Sequence, residues 1–135
     1  IKQLNTMKKL ILLLLIPIFF TCSSDSDSDY SILGAWTAEN FTVMGEDVFV
    51  TTVYSYVNLT FFQNNSFTIY IGLDDGNEVD VSGYDAYYDR AENIIIMTYD
   101  NGNQEIWEVT YIDGDELSVR IVDGSDITII DWVRI

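Results

Sequence analysis

At 135 residues the chain is long enough for one domain and little more. Its charge is sharply divided: Lys2, Lys8 and Lys9 precede Cys22, and from there on Arg90, Arg120 and Arg134 stand against all 22 acids, a formal charge of −19. Such a charge repels phosphate backbones and anionic lipid surfaces, so nucleic acid is not an expected partner. With no histidine and a single cysteine, zinc and haem sites built on those ligands, a Ser-His-Asp triad and an intramolecular disulfide are excluded.

Met7 is the expected start, since Ile1–Thr6 carry no targeting pattern. Lys8 and Lys9 form a positive n-region, and Leu10–Phe20 is an apolar run of 11 residues. As a helix that run reaches roughly 16 Å, about half of a ~30 Å hydrocarbon core, so it reads as a signal peptide and not as a permanent span. Pro17 near its end suits a cleavage region better than a helix interior. Phe19-Phe20-Thr21-Cys22 resembles a lipobox, with Phe19 where that motif prefers Leu. The resemblance implies cleavage before Cys22 and acylation of its thiol. Ordinary signal cleavage, with Cys22 an incidental free thiol, is the alternative.

Residues 1–21 are thus expected to be a signal peptide with an upstream extension, and 22–30 a lipidated cysteine and its tether. Ser23-Ser24-Asp25-Ser26-Asp27-Ser28-Asp29 is polar, acidic and of low complexity, and cannot pack a core. Fully extended it reaches about 24 Å. The run resembles the surface-export signal of lipoproteins in some Gram-negative bacteria, and it also fits a plain spacer facing the periplasm. Either way the expected address is the cell envelope, as an outer-membrane lipoprotein held through its lipid anchor.

Residues 31–135 are rich in β-branched and aromatic residues with a period near two, as in Phe67-Thr68-Ile69-Tyr70-Ile71 and Leu117-Ser118-Val119-Arg120-Ile121. No convincing amphipathic helix occurs, and proline is absent after Pro17. The expected strands are Ala35–Val43, Val48–Tyr54, Val57–Gln63, Ser66–Leu73, Glu78–Tyr88, Asn93–Tyr99, Gln104–Ile112, Glu116–Val122 and Ile127–Arg134, with the second and third open to being one bent strand. Between them lie Asn64-Asn65, Asp74-Asp75-Gly76-Asn77, Asn101-Gly102, Asp113-Gly114 and Asp123-Gly124, residue pairs suited to hairpin turns. Short connections favour an antiparallel up-and-down meander. Eight or nine such strands lose their exposed edges best by closing into a small β-barrel, an all-β fold.

Gly34-Ala35-Trp36 at the first strand resembles the Gly-x-Trp signature of lipocalins. Leu59-Thr60-Phe61-Phe62-Gln63-Asn64-Asn65-Ser66-Phe67 resembles a segment of bacterial lipocalin-like lipoproteins, and Gly83-Tyr84, Asn93-Ile94-Ile95-Ile96, Trp107-Glu108-Val109 and Leu117-Ser118-Val119 continue that rhythm. The likeness runs over about residues 32–135. It implies that Trp36 plugs one end of a barrel and that Arg134, from the last strand, lies across it, a guanidinium over an indole. The chain is short, without the disulfides or C-terminal helix of larger lipocalins, which points to a small cavity if there is one.

Catalysis finds little support. Glu105 and Glu108 suggest a carboxylate pair, but residues three apart on a strand face opposite ways. The turn acids Asp74, Asp75 and Glu78, Asp113, Asp115 and Glu116, and Asp123 and Asp126 match no twelve-residue calcium loop, and no metal or cofactor is expected. Two readings of function remain. One is a barrel that takes a small apolar or amphipathic ligand at its open end, with Thr52, Tyr54, Tyr56 and Tyr84 as candidate contacts. Phenols over an apolar floor suit a neutral or cationic molecule, and an anionic one only if Arg120 faces inward. The other is a filled barrel acting on the envelope or cell surface through its exterior, with the aromatics simply packing the core.

The lipobox reading is tested at Cys22. Replacing it, as Cys22→Ser, should move the protein out of the membrane fraction, and a fatty-acid analogue should label the parent protein but not the variant. Absence of label on the parent would remove the anchor from the account.

Overall fold

The computed structural model describes residues 31–135, so the expected signal segment, Cys22 and the Ser/Asp run lie outside the described residues. Period-two alternation is realised as strand after strand: β1 (Gly34–Val43), β2 (Glu46–Asp47), β3 (Tyr54–Phe61), β4 (Phe67–Leu73), β5 (Glu78–Asp89), β6 (Ile94–Tyr99), β7 (Gln104–Ile112), β8 (Glu116–Asp123) and β9 (Asp126–Arg134), with one helical turn, α1 (Val48–Thr51), between β2 and β3. From β3 to β9 each strand pairs antiparallel with the next. β1 pairs with β3 on one side and with β9 on the other. The sheet is therefore a closed eight-stranded up-and-down barrel, with the two-residue β2 added beside the end of β1.

The expected strand Val48–Tyr54 does not form. Asp47 caps a helical turn instead, its carboxylate accepting from the Phe49 N–H at 2.9 Å. Thr52 Oγ1 closes the far end by donating to the Val48 carbonyl at 2.6 Å. The physical reason lies in β1. Its first residues, Gly34–Thr37, pair with β3, while Thr42 and Val43 pair with β2, so β1 and β3 part in between. A turn that buries Val48 and sets Phe49 edge-on against Phe41, with ring centroids 6.2 Å apart, gains more from packing than an unpaired strand would.

Turns follow the expected chemistry in most places. Asn65 takes a positive φ of 76° between β3 and β4, and Gly102 one of 90° between β6 and β7. At Asp113-Gly114 the side chain does the work: Asp113 Oδ1 accepts from the N–H groups of Asp115 and Glu116 at 2.9 and 2.8 Å.

Inward residues fill the barrel at the end where β3–β4, β5–β6 and β7–β8 turn. Leu59, Phe67, Ile95 and Leu117 have no exposed surface there, and Trp36 joins them. Trp36 Nε1 donates to the Ile32 carbonyl at 2.9 Å, so its one polar atom is satisfied in the core. Its cross-strand partner in the β1–β9 register is Arg134, whose guanidinium carbon lies 3.9 Å from the indole centroid. The same guanidinium donates to the carbonyls of Leu33 and Gly114, tying the start of β1 and the β7–β8 turn across the barrel end. A cation–π contact of this kind contributes on the order of 1 kcal/mol. Arg134 and Trp36 together shut this end.

One glycine is fixed by packing alone. Gly83 stands opposite Phe67, and a Cβ there would come within 2.2 Å of the Phe67 ring and 2.4 Å of the Thr98 carbonyl oxygen. Gly83→Ala is expected to destabilise the barrel by about 1–3 kcal/mol, since both the fully buried ring and a backbone oxygen would have to move. Urea denaturation of the two proteins measures this, and an unchanged midpoint would contradict the packing described.

Candidate functional site

Toward the opposite end, where β4–β5, β6–β7 and β8–β9 turn, the barrel is not filled. A cavity of about 200 Å³ lies among side chains of β1, β3, β4, β5, β7 and β9. Phe41, Ile69, Ile71 and Ile130 supply apolar wall, and Tyr54 stands near the start of β3. The inner part is bounded by Trp107 and Trp132, stacked with centroids 6.1 Å apart and planes within 11° of parallel. Trp132 Nε1 is buried and has no hydrogen-bond partner among the described residues. An orphaned donor of that kind costs about 1–3 kcal/mol.

One charged residue lines this cavity, Glu105. It sits two residues before Trp107 on β7 and so shares the inward face with it, half-buried. Its Oε1 accepts from the Tyr99 hydroxyl at 2.7 Å and from Trp107 Nε1 at 2.8 Å. Both donors fix the carboxylate, and the interaction acts back on Tyr99: burial first, then the Glu105 hydrogen bond and its charge, hold the phenol well above its ordinary pKa. Tyr99 therefore stays a neutral donor through the physiological range. A wider polar depression of about 580 Å³ shares Val81 and Glu105 with the cavity and adds Ser82, Asp100 and Asn103 at the rim. Glu105 thus stands where the apolar lumen meets the polar mouth.

Of the four tyrosine and threonine contacts expected from the sequence, the structure brings Tyr54 to the cavity. Strand alternation alone would put Tyr54 and Tyr56 on one face. A bulge in the β3–β4 register between them turns Tyr56 outward, where its ring covers Gly72 and its hydroxyl donates to Glu78. The Glu78 hydrogen bond is also the chief reason the Tyr56 phenol titrates above its usual range. Tyr84 sits in a second bulge, between Gly83 and Asp85, and is 59% exposed. Thr52 ends α1 on the surface. Arg120 faces outward, paired with Glu108 at 2.8 Å. Trp36 and Arg134 meet at the shut end, away from the cavity.

From the sequence Glu105 is not expected as a ligand contact, Trp107 is expected only as one of several aromatics that pack the core or line a ligand, and Trp132 and Phe41 are not expected at all. The signal for the first two was present: Glu105 and Trp107 are two apart, so an inward tryptophan implies an inward carboxylate. Phe41 was harder to read, because a register shift between Ala38 and Asn40 reverses the alternation of β1. The turn acids stay apart, and among the described residues no three carboxylates come together as a metal site.

Solved structures share this architecture. An uncharacterized protein from Bacteroides eggerthii DSM 20697 superposes with a TM-score of 0.55 at 14% identity, covering 78% of this chain and 100% of its own. A lipocalin-like protein from Bacteroides uniformis ATCC 8492 superposes with a TM-score of 0.52 at 15% identity, covering 77% of this chain and 98% of its own. The fold is lipocalin-like. At such identities the likeness concerns the barrel and not its ligand. No protein-family model matches the sequence, and no curated protein matches it.

Proposed function

We propose that this protein is an exported lipoprotein of the outer membrane, anchored through Cys22, whose lipocalin-like barrel binds one small apolar or amphipathic molecule at its open end. The observation that carries the binding half is the apolar cavity of about 200 Å³ facing away from the Trp36–Arg134 end. Ligand sites are typically concave, mostly apolar and furnished with a few polar groups, and a lumen walled by isoleucines and aromatics with Glu105 and Tyr99 at its mouth answers that description. The cavity lies below the usual ~300–1,000 Å³ of ligand pockets, which favours a compact ligand and affinity in the micromolar range or weaker. The anchoring half rests on the sequence: a signal-like apolar run ending at the sole cysteine, followed by an acidic tether. A filled barrel working only through its exterior would leave this cavity without a purpose, so the binding reading is preferred.

The test uses the purified full-length protein and a panel of neutral, cationic and anionic amphiphiles. Trp107 and Trp132 bound the cavity, so an occupant should change intrinsic tryptophan fluorescence and raise the melting temperature. Silence toward the whole panel would overturn the ligand reading in favour of an interaction protein.

A further inference from the structure

We infer that the lumen selects a cationic amphiphile, specifically a protonated amine on a compact aromatic or short aliphatic body, with its ammonium paired to Glu105. The inference rests on the small-ligand reading above and narrows it to one chemistry. Three observations converge on it.

The first is the carboxylate. Oε1 of Glu105 is held by Tyr99 and Trp107, and among the described residues Oε2 has no hydrogen-bond partner. Glu105 is half-buried where the cavity meets the wider depression, so Oε2 is open to water or to a donor on a bound molecule. The second is the whereabouts of the arginines. Among the described residues Arg120 is paired with Glu108 outside the barrel, Arg134 lies over Trp36 at the shut end, and Arg90 stacks on the Tyr88 ring with its guanidinium carbon 4.9 Å from the centroid. No lysine follows Cys22. Among the described residues no basic group is left to pair with Glu105. The third is the wall. Tyr54, Trp107 and Trp132 present aromatic surface to the cavity that Glu105 lines, which suits an ammonium group through the ring quadrupole and an aryl group through stacking.

Size and field agree with this chemistry. A dry cavity of about 150 Å³ accommodates benzene, so about 200 Å³ takes a ring and a short arm, the amine being left at the mouth beside Glu105. Asp100 at the rim and the formal charge of −19 over the chain from Cys22 onward draw cations toward that mouth and turn fatty acids away.

The test compares three probes of one shape on the full-length protein: 2-phenylethylamine, which is cationic at neutral pH, neutral 2-phenylethanol, and anionic 3-phenylpropionate. Tryptophan fluorescence titrations should show the amine binding at least about 10-fold more tightly than the alcohol, and the anion not at all. Glu105→Gln keeps an oxygen for Tyr99 and Trp107 and removes the charge. It should abolish the preference for the amine over the alcohol, with a melting curve confirming that the variant is folded. If the variant does not fold, the amine–alcohol comparison on the parent protein stands by itself, since equal binding there already contradicts the proposal. Equal binding of amine and alcohol would overturn the cationic reading, and a preference that survives Glu105→Gln would overturn the pairing with Glu105; both leave the small-ligand reading standing. Silence toward all three probes would overturn the cationic reading as well, and the wider amphiphile panel then decides the small-ligand reading separately.

Discussion

Barrel closure puts Trp36 opposite Arg134, and the rest of the molecule is arranged around that pairing. β1 has to pair with β3 along its first residues and with β9 along most of its length. A slip of one residue in the β1–β9 register would carry Arg134 to the other face and leave Trp36 without its cover. With the register as it is, the guanidinium lies on the indole and ties Leu33 to Gly114 across the barrel end. Leu59, Phe67, Ile95 and Leu117 then pack that end solid. What space the barrel retains is displaced to the opposite end, where β1 and β3 diverge and α1 folds against Phe41.

That space combines features seldom placed together by packing alone. Its walls are apolar and aromatic, yet a carboxylate enters it from β7. Tyr99 and Trp107 each donate to one oxygen of Glu105, so the protein holds the group in place without neutralising it. The surrounding charge is negative and the arginines among the described residues are engaged elsewhere.

Much of this was legible in the residues. Alternation and turn chemistry fixed the strands from Val57 onward to within a few residues, and short connections gave their order. Val48–Thr51 reads as a strand because its β-branched residues favour one, while the deciding factor is the absence of a neighbouring strand edge for them to pair with. Asp47, a good N-cap residue, was the overlooked local signal. Tyr54 reaches the cavity, whereas Tyr56 and Tyr84 stand away from it for a related reason. Facing Tyr56 and Tyr84 inward assumes unbroken alternation, and bulges at Ser55 and Tyr84 reset the faces; a bulge is specified by the neighbouring strand as much as by the residue itself. Glu105 was readable from its distance to Trp107, but a lone acid in a chain with 22 of them draws no notice until its neighbours are in view.

The central claim is a barrel shut at Trp36 and hollow beside Glu105. A crystal of the protein under xenon pressure tests it most directly, since xenon enters apolar cavities without regard to charge or ligand chemistry. The expected result is a xenon site in the lumen against Phe41, Ile69 and Ile71, with none beneath Trp36. Side chains filling the lumen, or a xenon site beneath Trp36, would contradict it.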